Sequence, residues 1–229
     1  MKLTQRPPPR HRVRDLIAIG SSAGGTEALQ ALAEHLPPDL PAAVLVAQHA
    51  SISSPGMLPS ILARAGPLPA SLAVHDEVIS DGHIYVAPPD HHLTVKYGRL
   101  RVSRGPRESK WRPCVDTLFR SVAVEYSNRA IGVVLSGLMY DGTAGLRFIK
   151  RCGGLTVVQE PQDSIYSEMP RSALAGVEVD YCLSAAQIGF LLNELAGTAA
   201  PEAPPVPADL SLEASLSPQM PWRKPLLRS

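Results

Sequence analysis

The chain has 229 residues, 45% of them hydrophobic, and its formal net charge is +1, which suits one globular domain with tails and gives no indication of a nucleic-acid surface. Its three cysteines, Cys114, Cys152 and Cys182, lack metal-site spacing and an even number for pairing, so we expect reduced thiols of a cytoplasmic protein. There is no long apolar run and no signal peptide, so we expect a soluble protein without membrane insertion.

The first 14 residues are rich in basic side chains around Pro7-Pro8-Pro9. Such a composition cannot bury itself, and it predicts a flexible basic segment over residues 1–14. A solvated linker is favoured over a docking arm for an acidic partner. Ordered structure is expected to begin at about residue 15.

Residues 16–25 predict a buried strand, a sharp turn and the start of a helix. The turn fits G-x-S-x-G with Ser22 at its centre, a pattern that exposes a serine hydroxyl beside the free N–H groups of the next helix. Ser22 is therefore a candidate nucleophile, although any tight strand-to-helix turn also needs small residues. A phosphate-binding loop is disfavoured because Thr26 and Glu27 stand where Lys and Ser or Thr are required.

Further strands and helices alternate along the chain. Strands are predicted at 42–47, 71–74, 83–87, 131–135, 155–159 and 181–183, helices at 26–35, 55–65, 113–126, 143–151, 169–175 and 185–196, and a β-hairpin at 94–102. This alternation predicts a three-layer, doubly wound α/β fold with a mostly parallel open sheet, helices on both faces and a β-hairpin excursion. The ordered domain is expected to span residues 15–197.

The last 32 residues contain seven prolines, which predicts a disordered tail over residues 198–229. Trp222, Leu226 and Leu227 stand among basic residues at its end. A short docking peptide there is a weaker alternative.

Three chemically useful residues, Ser22, His49 and Asp141, follow the carboxyl ends of predicted strands, where open α/β sheets form their sites. A histidine can take the serine proton, and a carboxylate on its other nitrogen fixes its tautomer, so the set suits acyl transfer. Each also has an ordinary alternative, a packed histidine or a turn or N-cap at Asp141. A conventional α/β-hydrolase is disfavoured because there the histidine comes last, whereas this chain has none after His92.

Six sequence blocks carry a resemblance to a known family. They are I-G-S-S-A-G-G-T-E-A (19–28), V-A-Q-H (46–49), G-H-I-Y-V-A-P-P-D-H-H-L (82–93), R-P-C-V-D-T-L-F-R-S (112–121), L-S-G-L-M-Y-D-G-T-A-G (135–145) and M-P-R-S-A (169–173). With these blocks, residues 16–196 resemble the catalytic domain of CheB-type protein-glutamate methylesterases, of the chemotaxis response regulator family.

The resemblance implies a serine hydrolase that removes methyl groups from glutamyl esters on methyl-accepting chemotaxis receptors and, in some members, deamidates receptor glutamines. It places the nucleophile on Ser22, the base on His49 and the acid on Asp141, with the oxyanion near the N–H groups of Ala23 and Gly24. No metal or cofactor is expected. Receptor helices are the expected partner.

The chain departs from the family pattern at several positions. Ala23 stands where a Thr usually follows the nucleophile, Leu138 stands where a Met usually precedes the acid, and Tyr140 is a bulky neighbour of Asp141. Usual members also carry a receiver domain, whereas here the first strand begins after about 14 residues. We therefore expect a stand-alone esterase, constitutively open or controlled by its tails or by a separate receiver-domain protein. Deamidation and a catalytically weak binding module remain alternatives.

Overall fold

The central sheet is built from short apolar strands, and the computed structural model describes it within residues 13–215. In chain order the strands are β1 (Leu16–Ser21), β2 (Ala43–Gln48), β3 (Ala70–Leu72), β4 (Ile84–Val86), β5 (His92–Lys96), β6 (Arg99–Ser103), β7 (Ala130–Val134), β8 (Leu155–Gln159) and β9 (Tyr181–Leu183). Seven of these form one sheet in the order β3-β4-β2-β1-β7-β8-β9, and all its described pairings are parallel. β5 and β6 pair separately as an antiparallel hairpin.

Helices cover both faces of the sheet. They are α1 (Gly25–Ala33), α2 (Leu58–Ala65), α3 (Val115–Tyr126), α4 (Thr143–Arg151), α5 (Glu168–Gly176), α6 (Ala185–Leu195) and α7 (Ala208–Ser215). Successive side chains of β1 alternate between two buried clusters, one against α3 and α4 and the other against α1 and α6. The predicted three-layer α/β fold is confirmed, and the burial of both faces explains the continuous apolar runs of β1, β2 and β7.

The hairpin packs on α3 rather than extending the sheet. Leu93, Val95, Leu100 and Val102 are buried in the cluster that contains α3, and the Val95 N–H donates to Ser121 Oγ at 3.1 Å. The loop that follows, residues 104–114, runs from β6 to the start of α3. This arrangement carries the loop across the carboxyl ends of the central strands.

Residues 198–215 differ from the predicted disordered tail. The chain bridges back from Ala199 to Val13, Pro201 accepts a hydrogen bond from the Asn128 side chain, and α7 buries Leu210 completely in the cluster that contains α3. The prolines prevent a strand here, yet a few apolar side chains are enough to dock the segment. The rest of both predicted tails, residues 1–12 and 216–229 with Trp222, Leu226 and Leu227, lies outside the described residues. None of the described helices is long and apolar enough to cross a membrane.

The order of the strands decides where a site forms. β1 lies at the centre, the chain moves to one side through β2 and to the other through β7, and a crevice opens where the two directions part. The residues that follow β1, β2 and β7 therefore meet at one edge.

Candidate active site

The turn after β1 presents the Ser22 hydroxyl. The Ser22 N–H donates to the Ser136 carbonyl at 2.9 Å, and the chain then turns through Gly24, whose φ of 68° favours glycine. At Gly20 a side chain is excluded, since a Cβ there would lie 2.1 Å from Val115 Cγ1 in α3. The two glycines of the G-x-S-x-G pattern thus serve different needs, close helix packing and the turn itself.

His49 is the first residue after β2, and its N–H donates to the Ser21 carbonyl at 3.1 Å. Its Nδ1 lies 3.0 Å from Ser22 Oγ, and its Nε2 lies 2.7 Å from Asp141 Oδ2. Both side chains of the His49–Asp141 pair are almost fully buried. A carboxylate at Nε2 selects the tautomer with its proton there, which leaves Nδ1 free to accept the Ser22 proton. The ring is therefore used in the reverse sense to serine proteases, where Nε2 faces the serine.

Asp141 lies between the imidazole and the beginning of α3. Its carboxylate accepts hydrogen bonds from the Val115 N–H at 2.8 Å and the Asp116 N–H at 3.0 Å, the first free donors of that helix. Burial alone would raise its pKa, but the hydrogen bond and charge of His49, together with these N–H groups, outweigh burial and hold the pKa of Asp141 below its ordinary value. The carboxylate is thus kept ionised beside the histidine.

Cys114 adds a further donor to the same carboxylate. Its Sγ lies 3.2 Å from Asp141 Oδ1, and burial, reinforced by the negative charge of Asp141, raises the pKa of the thiol. It therefore remains a protonated donor. Within the described residues no group of three or more His, Cys, Asp or Glu side chains is arranged to hold a metal ion.

Adjacent serines have different roles in the turn. Ser21 Oγ donates to Gln48 Oε1 at 3.0 Å, and Gln48 in turn donates to Thr26 Oγ1 at 3.0 Å. Ser21 is completely buried in this network, whereas Ser22 lies against the histidine. The geometry thus gives the two adjacent serines different roles, a structural one for Ser21 and contact with the histidine for Ser22.

Three residues at the site were not singled out from the sequence. Asp116 accepts hydrogen bonds from Gly142 and Gly145 at the start of α4, Ser136 Oγ donates to the Ala23 carbonyl at 2.8 Å, and the Trp111 indole stacks on the His49 ring. Asp116 and Ser136 lie inside two of the sequence blocks and Trp111 directly precedes one, which was the available signal. Ser136 follows a buried strand just as Ser22 does.

Two of the residues that depart from the family pattern, Leu138 and Tyr140, lie at the mouth of the site. Leu138 and Tyr140 are exposed, and the loop between them is fixed by a hydrogen bond from the Met139 N–H to the Glu168 carboxylate at 2.8 Å. Next to them a Cβ added to Gly137 would lie 2.9 Å from Ser22 Cβ. Tyr140 points outward, so its bulk lies at the rim and does not separate His49 from Asp141.

Comparison with known proteins places this geometry in context. The family model described as CheB methylesterase matches residues 17–192. A crystal structure of the Thermotoga maritima CheB methylesterase catalytic domain is similar at a TM-score of 0.76 and 30% identity, covering 80% of this chain and 98% of that one.

Several sequence relatives are also similar. The Syntrophus aciditrophicus protein-glutamate methylesterase/protein-glutamine glutaminase 1 is 36% identical over 191 residues, covering 82% of this chain and 54% of that protein. A Leptospira interrogans relative is 37% identical over 182 residues, covering 79% of this chain and 94% of that protein. A Yersinia pestis protein-glutamate methylesterase/protein-glutamine glutaminase is 40% identical over 167 residues, covering 70% and 47%. The chain thus spans about half the length of the Syntrophus and Yersinia relatives.

Proposed function

Because this chain belongs to the CheB methylesterase family, we propose that it is a serine hydrolase that cleaves glutamyl methyl esters on methyl-accepting chemotaxis receptors and releases methanol. The observation that carries the proposal is the continuous contact from Ser22 through His49 to Asp141, at 3.0 and 2.7 Å. Those are the distances at which a base can take a hydroxyl proton and a carboxylate can stabilise the resulting imidazolium.

The mechanism follows from the orientation of the histidine. Nδ1 takes the Ser22 proton as Oγ attacks the ester carbonyl, and the Asp141 carboxylate stabilises the imidazolium through Nε2–H. The tetrahedral intermediate then collapses, its C–O bond to the methoxy group breaks, and Nδ1 returns the proton to give methanol. Water, deprotonated by the same nitrogen, attacks the acyl-serine and releases the glutamate with a restored Ser22 hydroxyl.

The N–H groups of Ala23 and Gly24 are the proposed oxyanion donors. Among residues 13–215 neither group has an acceptor, while the neighbouring Ser22 N–H donates to the Ser136 carbonyl and the Gly25 N–H donates to the Ser22 carbonyl. Free donors at the amino end of α1 are suited to a developing negative charge. Ala23 supplies such a donor as well as Thr would, because the group involved belongs to the backbone.

The surface around Ser22 suits a macromolecular substrate. Leu138, Tyr140, Ile165 and Tyr166 are exposed apolar side chains on the loops beside the turn, and a Cβ at Gly24 would touch Ile165. Grouped apolar exposure of this kind is typical of an interaction surface. We assign it to receptor helices, and a separate receiver-domain protein is the second partner that we propose for the same surface.

Deamidation of receptor glutamines is the second candidate function. The Syntrophus and Yersinia relatives carry protein-glutamine glutaminase in their names. The same steps apply when ammonia replaces methanol as the leaving group. Ammonia release from unmodified receptors, compared with methanol release from methylated ones, gives the balance between the two activities.

The decisive experiment measures labelled methanol released from methylated receptor membranes. Ser22→Ala should lose at least about 10⁴-fold of the wild-type rate, since it removes the nucleophile. Ser21→Ala is the matched control, because its hydroxyl binds Gln48 and not His49. Release that survives in Ser22→Ala would refute the proposal. If neither wild type nor Ser22→Ala released methanol while both still bound the receptors, a binding module would be favoured.

A further inference from the structure

The Trp111 side chain lies flat on the ring of His49. The two ring centroids are 4.1 Å apart and the ring planes differ by 10°. Both nitrogen edges of the imidazole are occupied, Nδ1 by Ser22 and Nε2 by Asp141. The indole therefore occupies a face of the ring, the direction that these hydrogen bonds leave open.

The loop at 104–114 holds Trp111 through its neighbours and not through the indole nitrogen. Arg112 donates to the buried carboxylate of Asp90 at 2.6 and 2.9 Å, and the Trp111 backbone N–H donates to the Glu108 carbonyl at 2.8 Å. Within the described part of the chain, the indole N–H is buried without an acceptor. The indole therefore lies on the imidazole without a hydrogen bond of its own in the described residues.

We propose that Trp111 is a positioning residue for the base of the reaction. Its face holds the imidazole in the plane that reaches both Ser22 and Asp141, and it stabilises the imidazolium formed when Nδ1 takes the Ser22 proton. The proposal rests on the proposed function, in which His49 is that base. A cation over an indole face is attracted to it, most strongly where water is excluded, and the His49 side chain is only 2% exposed.

Other groups reach the ring from other directions. Asp141 faces Nε2 and Ser22 faces Nδ1, while Asp116 and the Cys114 thiol lie behind Asp141 at the start of α3. The carboxylate thus acts along an edge of the imidazolium and the indole acts on its face. These effects can be separated by substitution because they arise from different elements.

Tryptophan fluorescence provides a test that needs no substrate. The chain contains two tryptophans, and Trp222→Phe, outside the described residues, leaves Trp111 as the reporter. An imidazole stacked on an indole perturbs the emission of its excited state, so at a fixed pH adding His49→Gln should change the emission intensity of Trp111. Adding Ser22→Ala, which leaves the stacked rings in place, should keep that intensity. Emission unchanged by His49→Gln would overturn the stack.

Rates of methanol release provide the second test. Trp111→Leu keeps apolar bulk but removes the aromatic face, so kcat should fall about 10-fold with KM within about 2-fold. Trp111→Phe restores an aromatic face and should remain within about 3-fold of wild type. Equal losses in both variants, or a wild-type kcat in Trp111→Leu, would contradict the proposal. Thermal unfolding checks that both variants fold, and the fluorescence test stands apart from any failure of the esterase assignment.

Discussion

Asp141 binds the N–H groups at the start of the helix that contains Asp116, and Asp116 binds those at the start of the helix that follows Asp141. Asp141, just before α4, accepts from the first N–H groups of α3, while Asp116, in the first turn of α3, accepts from Gly142 at 3.0 Å and Gly145 at 2.6 Å at the start of α4. The exchange locks the two helix starts together. It therefore fixes the carboxylate that orients His49.

Asp141→Asn tests the carboxylate at Nε2. The amide can still accept from the α3 N–H groups through its oxygen, but its NH₂ group disfavours the tautomer with a proton on Nε2. We expect methanol release to fall by about 10³- to 10⁴-fold with the fold retained. Asp180→Asn is the control, since Asp180 also binds a backbone N–H but lies at the start of β9, away from Ser22. A rate within 10-fold of wild type in Asp141→Asn would contradict this role.

Asp116→Asn tests the electrostatics of the pair. Burial and the nearby charge of Asp141 raise the pKa of Asp116 to about 7, well above its ordinary value of 3.8. Between these values the unfolded chain loses a proton that the folded chain keeps, so the free energy of unfolding should fall as pH rises from about 4 to about 7, by up to about 1.4 kcal/mol per pH unit. Urea unfolding across this range should show a flatter slope in Asp116→Asn than in the wild type.

Asp141 contributes a slope of the opposite sign at lower pH. Its pKa is lowered in the folded state, so its stabilising effect is present above the ordinary aspartate value and is lost as the pH falls through the folded one. The pH range in which Asp116 changes the stability therefore lies above the range in which Asp141 does. An identical pH dependence in wild type and Asp116→Asn would therefore rule out a raised pKa at Asp116.

Ser136→Ala tests the support of the catalytic turn. The buried hydroxyl donates to the Ala23 carbonyl and accepts from the Tyr166 N–H at 3.0 Å, so its loss leaves two polar groups unpaired. We expect a cost of about 1–3 kcal/mol in unfolding free energy and a decrease of about 10-fold in kcat, with KM little changed. Ser164→Ala removes an exposed hydroxyl that binds Glu160 and should alter neither quantity. Unchanged stability in Ser136→Ala would show that water replaces the lost contacts.

Leu210→Ala tests the docking of α7. Leu210 is 0% exposed, whereas Leu212 on the same helix is 61% exposed. We expect Leu210→Ala to lower the free energy of unfolding by about 2–4 kcal/mol and Leu212→Ala to change it by less than about 0.5 kcal/mol. Both should keep the wild-type kcat because α7 does not contact Ser22. Equal effects of the two substitutions would place residues 198–215 outside the folded domain.

The fold was predictable because its signals are local. The uniformly apolar strands β1, β2 and β7 and the small-residue turn at Ser22 can each be recognised within ten residues. Parallel strands then bring their carboxyl ends to one edge, which is enough to predict that Ser22, His49 and Asp141 meet.

Contacts that depend on how distant elements cross were not predictable. Trp111 and His49 are 62 positions apart, and the exchange between Asp116 and Asp141 depends on the relative placement of two helix starts. Neither contact produces a periodic pattern in the sequence. α7 was missed for a different reason, since the surrounding prolines dominate the composition while one buried leucine anchors the segment.

The described ends of the chain lie on the side of the sheet opposite Ser22. Val13 bridges to Ala199 just before β1 begins, and Asp209 of α7 pairs at 3.0 Å with Arg151, the last residue of α4. Both positions adjoin the amino ends of the strands, because β1 and β8 begin there. A tether joined beside Val13 or Asp209, whether a sensor chip or a fluorescent protein, would therefore hold the molecule by its base and present the Ser22 edge outward to membranes.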